Sequence, residues 1–91
     1  MAQLTVVTGA SSGLGSALAL RIAQGGDPVV LMARREDALN AVAKKIRSGG
    51  GTAHVVTADM ADSASIRTAF QTILATHGPI ERLVANAGIL V

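Results

Sequence analysis

Along this chain, short uninterrupted apolar runs alternate with longer stretches in which apolar residues recur every three or four positions. The first run, residues 4–8, is β-branched and gives way to a glycine-rich turn, after which Leu14, Leu18 and Ile22 repeat at helical spacing until Gly25-Gly26. Pro28 then opens Val29, Val30, Leu31 and Met32, apolar at every position, as a parallel strand buried on both faces requires. Residues 36–47 predict an amphipathic helix with Leu39, Val42 and Ile46 on its inner side, stopped by Ser48 and three glycines. A third strand is predicted over Ala53–Thr57, and a third helix from Asp62 or Ser63, either of which can cap free N–H groups. Ile66, Phe70, Ile73 and Leu74 form the predicted buried stripe of that helix, Gly78-Pro79 ends it, and residues 80–85 predict a fourth strand leading into Asn86-Ala87-Gly88.

The resulting βαβαβαβ order predicts an α/β fold with a parallel sheet, because each return crossover must be covered by its helix. Right-handed crossovers restrict the topology to a Rossmann-type doubly wound sheet in the partial order 3-2-1-4, the first two helices on one face and the third on the other. The crevice where the winding reverses lies beside the first strand. The stretch TGASSGLG, from Thr8 to Gly15, falls there.

Composition narrows the function. At 91 residues the chain is one small domain or part of one, and with 49% apolar and 15% charged residues it is not a disordered segment. A single aromatic, Phe70, and a net charge of +2 spread along the chain exclude a base-stacking nucleic-acid module and a polyanion-binding surface. Without cysteine there is no disulfide framework, thiolate zinc site or catalytic thiol. No stretch reaches membrane-spanning length and the N-terminus lacks a basic targeting region, so the expectation is a cytoplasmic protein without a membrane partner.

A loop that leaves a strand and opens a helix directs backbone N–H groups and the positive helix end at its ligand, which suits a phosphate. Gly9 makes the tight turn, Gly13 removes a side chain where the ligand comes near, Gly15 lets helix and strand pack, and Ser11 and Ser12 add hydroxyl donors. A plain βα turn needs only one or two such residues. The spacing Gly-x-x-x-Gly-x-Gly is neither the usual Gly-x-Gly-x-x-Gly fingerprint nor a Walker A loop.

With Thr8, Gly9, Gly13 and Gly15 in this pattern, the chain resembles the short-chain dehydrogenase/reductase family, whose members open with Thr-Gly-x-x-x-Gly-x-Gly. Asp59-Met60 resembles the family's adenine-contacting aspartate and its neighbour, and Ala85 to Gly88 resembles its Asn-Asn-Ala-Gly motif, with Ala85 in place of the first asparagine. The resemblance implies a dinucleotide cofactor bound by Gly9, Ser11, Ser12, Gly13, Leu14, Gly15, Asp59, Met60, Asn86, Ala87 and Gly88, and interconversion of a carbonyl and an alcohol. It also implies a catalytic serine, tyrosine and lysine, which have no positions here: the chain contains no tyrosine. Residues 1–91 are therefore expected to be the cofactor-binding portion of a longer reductase or dehydrogenase, a small-molecule enzyme and a candidate homo-oligomer. The alternatives are a non-catalytic dinucleotide-binding module and a piece that assembles with another chain through the fourth strand.

The zone that selects between dinucleotides reads Met32-Ala33-Arg34-Arg35, with no carboxylate at the strand end. A guanidinium there accommodates the extra phosphate of NADP, so NADP(H) is expected over NAD(H), with Arg34 as principal contact and Arg35 as support. The competing reading makes both arginines solvated residues paired with Glu36 or Asp37, and Asp59 a loop or helix-start carboxylate. His54, at the start of a strand, and His77, at a helix C-terminus, have no ligand-like companions, so no metal site is expected.

Overall fold

The pattern of strand and helix is realised in a computed structural model that describes residues 3–11 and 13–85. β1 (Thr5–Thr8), α1 (Gly13–Gln24), β2 (Val29–Ala33), α2 (Glu36–Ser48), β3 (Ala53–Thr57), α3 (Ser63–His77) and β4 (Arg82–Val84) follow in strict alternation. The sheet is parallel in the order β3-β2-β1-β4, with Thr5 opposite both Val29 and Arg82, and Val29 opposite Ala53. This is the expected doubly wound α/β arrangement.

Because side chains alternate across a strand, β1 and β2 feed two cores at once. Val7, Val29, Leu31 and Ala33 face the layer of α1 and α2, where Ala19, Ala23, Leu39, Val42, Ala43 and Ile46 bury. Val6, Val30 and Met32 face Ala69 and Ile73 of α3 on the other side. Five consecutive buried positions in β2 are the structural meaning of its unbroken apolar run.

Two predicted stripes are corrected. In α1 the buried residues are Gly15, Ala19 and Ala23, whereas Leu14 is 64% exposed and Leu18 half-buried. The sheet side of α1 is lined with small residues, Leu14 turns outward, and Leu20 and Ile22 pack at the margin of the same core. In α3 the buried pair is Ala69 and Ile73, Phe70 is half-buried against the same cluster, Ile66 is half-buried and Leu74 is 52% exposed, because only the side of the helix turned to the sheet buries.

Element ends also shift. β1 begins at Thr5, β2 extends to Ala33, α2 runs through Ser48, and β4 covers only Arg82–Val84. At the β4 edge Leu83 is 53% exposed, and Arg82 is ion-paired to Asp27, whose carboxylate also accepts the Gln3 amide. Thr5 is completely buried, and its hydroxyl has no hydrogen-bond partner among the described residues.

Candidate functional site

The glycine loop sits at the C-terminal end of β1, between the ends of β2 and β4. The Ala10 amide donates to the Met32 carbonyl at 3.3 Å, and the Thr8 hydroxyl donates to the Val84 carbonyl at 3.4 Å. Gly9 at φ 64° and Gly13 at φ 57° occupy the left-handed region, where a side chain costs about 1–2 kcal/mol. A Cβ built on Gly13 would meet nothing within 4 Å, so the backbone at the opening of α1 faces open space. No acidic residue lies in the first turn of α1, where a carboxylate would offset the positive helix end. Gly15, in the first turn of α1, is buried, and Ser11 is half-buried beside the turn. Such a loop fits a phosphate-bearing ligand, with N–H groups and the helix end as the attractive elements.

The second part of the site forms where β2 and β3 end together. The Ala58 amide donates to the Ala33 carbonyl at 3.0 Å, and each strand then releases one candidate site residue, Arg34 after β2 and Asp59 just beyond β3. Arg34, Asp59, Met60 and Ala61 line one open concavity of about 280 Å³. Met60 is 41% exposed in its wall. Arg34 is exposed and forms no ion pair among the described residues, whereas Arg35 pairs with Asp37 at 3.6 Å on the open surface. The two neighbours, expected as principal and supporting contacts, thus take different positions. Arg34 is turned to the concavity, and Arg35 has the solvated, locally paired position.

Asp59 is held on three sides. Its amide donates to the Ser65 hydroxyl at 2.9 Å, its carboxylate accepts the Ala61 amide at 3.0 Å, and its carbonyl accepts the Asp62 amide at 3.0 Å. The α3 cap is Asp62, which accepts from the Ala64 amide at 3.0 Å, so Asp59 is not the helix-capping carboxylate. Ser65 and Ala61 went unnoticed in the sequence. Their signal is the Asp-x-x-Asp-x-x-Ser spacing after a strand, in which short polar side chains bond nearby backbone.

Ser12, Asn86, Ala87 and Gly88 lie outside the described residues. Leu14 is on the surface at the start of α1. His54 and His77, treated singly in the sequence, stack on one another with ring centroids 3.9 Å apart and planes inclined by 22°. Burial, the facing His77 and the Arg47 guanidinium all lower the pKa of His54 from its ordinary 6.5. Among the described residues no group of three metal-ligating side chains converges, and no helix is long and apolar enough to cross a membrane.

Comparison with known proteins bears on this geometry. A family model described as short chain dehydrogenase matches residues 3–91. An uncharacterized oxidoreductase of Mycobacterium bovis is 40% identical over 89 residues, covering 94% of this chain and 26% of its own length. Among solved structures, a metagenomic short-chain oxidoreductase in complex with NADP superposes with a TM-score of 0.91 at 41% identity, covering 96% of this chain and 39% of that one. L-sorbose reductase from Gluconobacter frateurii, complexed with NADPH and L-sorbose, gives 0.90 at 31% identity, covering 97% of this chain and 34% of that one. The chain spans about a quarter to two-fifths of the length of these proteins.

Proposed function

Because the chain belongs to the short-chain dehydrogenase family, we propose that residues 1–91 are the NADP(H)-binding portion of an oxidoreductase that interconverts a carbonyl and an alcohol. The observation that carries the cofactor choice is Arg34, exposed, without an ion-pair partner among the described residues, and sharing a concavity with Asp59 and Met60. In this reading the loop from Gly9 to Gly15 receives the pyrophosphate, Arg34 grips the 2′-phosphate, and the Asp59-Met60 turn borders the adenine. Ser11, Ser12 and Leu14 complete the loop side, Arg35 supports Arg34 from the helix start, and Asn86, Ala87 and Gly88 continue toward the nicotinamide. The NADP and NADPH complexes of the two solved relatives support the same choice.

The bound nicotinamide supplies the hydride. What this chain does is bind and orient: it neutralises phosphate charge with N–H groups and a guanidinium, and fixes the adenosine end against a short backbone turn. The proton donor for a substrate oxygen is assigned to no residue of this chain.

Calorimetric titration of the chain with NADPH and NADH tests the reading. Charge-assisted bonds contribute about 1.5–3 kcal/mol, so Arg34→Ala should weaken NADPH roughly ten- to a hundredfold and leave NADH nearly unchanged. Arg35→Ala should have little effect. Equal loss for both dinucleotides, or a folded chain that binds neither, refutes the assignment. A second reading, assembly with another chain along β4, is favoured by the exposed Leu83 at that edge, and concentration-dependent sedimentation tests it.

A further inference from the structure

The turn that borders the proposed adenine site is fastened to the protein by one side chain outside it. In a strand the backbone amides point alternately to opposite neighbours. Just past the end of β3 the Ala58 amide is bonded to the Ala33 carbonyl of β2, and among the described residues no strand pairs with the outer edge of β3 to take the Asp59 amide. An amide there would be left to water. Instead it donates to the Ser65 hydroxyl at 2.9 Å, from the first turn of α3.

The remaining bonds of the turn are internal to it or to the start of α3. Ala61 donates to the Asp59 carboxylate, Asp62 to the Asp59 carbonyl, and Ala64 to the Asp62 carboxylate, each at 3.0 Å. These set the shape of the turn. The Ser65 bond anchors its leading residue to a helix docked on the sheet through Ala69 and Ile73. Ser65 also lines the groove between the β3 edge and α3, with Thr57 and Thr68, on the side of the turn away from Arg34.

We propose that Ser65 is a positioning residue for the adenosine end of the cofactor: by holding the Asp59 amide it places the Asp59-Met60 turn opposite Arg34 and keeps the concavity at the width the ligand requires. The proposal rests on the dinucleotide reading above. Ser65 does not touch the ligand. Its effect is confined to the adenosine half, because the glycine loop is anchored separately through Ala10 and Thr8.

The test uses two half-ligands, adenosine 2′,5′-bisphosphate and nicotinamide mononucleotide, titrated into the chain and into Ser65→Ala and Ser65→Thr. Alanine is a strong helix former, so Ser65→Ala leaves α3 itself intact. The expected result is roughly three- to tenfold weaker binding of the adenosine ligand by Ser65→Ala, the scale of one lost hydrogen bond, with the nicotinamide ligand unchanged and Ser65→Thr restored. Amide hydrogen exchange, which needs no ligand, should show the Asp59 amide losing protection in Ser65→Ala alone. Unchanged adenosine binding in Ser65→Ala overturns the proposal, and so does an equal loss for both half-ligands, which would mark a general structural role. If Asp59 protection falls in Ser65→Ala while the unmodified chain binds no adenosine ligand, the hydrogen bond is real and the dinucleotide reading is the part that fails.

Discussion

Charging His54 costs first the desolvation of a partly buried ring and then repulsion, from His77 stacked with its centroid 3.9 Å away and from the Arg47 guanidinium. At such a distance like charges repel by about 1 kcal/mol in bulk water and about 4 kcal/mol at the effective dielectric of a protein surface. Both rings are half-buried, which places the cost toward the lower figure. Linkage gives the sign. The folded-state pKa of His54 is lowered, so the unfolded chain binds its proton first, and stability is complete above the unfolded value of about 6.5 and falls as pH drops below it. One suppressed proton is worth at most about 1.4 kcal/mol per pH unit, so the expected loss between pH 7.5 and 5.5 is about 1 kcal/mol. Urea unfolding at pH 7.5, 6.5 and 5.5 measures it, in a window above the ordinary carboxylate range. In His54→Gln the pH dependence should shrink to a small residue. Parallel curves for the two proteins, or a flat curve for the unmodified one, would show that the stack carries no such cost.

Two further outcomes follow from single positions. Gly13→Ala forces a side chain into φ 57° but meets no neighbour within 4 Å, so it should cost only about 1–2 kcal/mol in urea unfolding while weakening NADPH more than tenfold by calorimetry. A loss of stability without loss of binding would mean the loop does not face the phosphates. Thr5→Val replaces a fully buried, unpartnered hydroxyl with a methyl of similar shape, and should stabilise the chain by about 1 kcal/mol, seen as a rise in Tm of several degrees. A lower Tm would mean that the hydroxyl has a partner in solution.

Much of the architecture was legible in the chain because burial on both faces leaves a plain mark. Val29 to Met32, apolar without interruption, can only be an inner parallel strand once helices flank it, and the strand order follows from crossover handedness. The helix stripes were less legible. Leu14, Leu18 and Ile22 share the same i, i+4 spacing as Gly15, Ala19 and Ala23, and periodicity cannot say which of two adjacent stripes meets the sheet. Close approach of α1 to β1 and β2 decided it in favour of the small residues. In α3 the inward side is set by Ala69 and Ile73, and Leu74, one position round the helix from Ile73, falls outside it.

The candidate site divides along the same line. Sequence alone determined the glycine loop and its place between strand and helix, because the left-handed conformations at Gly9 and Gly13 favour glycine. It also determined that a guanidinium, not a carboxylate, follows β2. Only the tertiary structure decided that Arg34 and Asp59, far apart in the chain, emerge side by side from paired strand ends while Arg35 turns to Asp37. The same holds for Ser65 reaching back to Asp59, and for the meeting of His54 with His77. Local conformation is dictated by neighbours a few residues away and leaves its trace in spacing. Which side chains face each other across a sheet depends on strand register and on how closely each helix can settle, and those are set by packing of the whole chain.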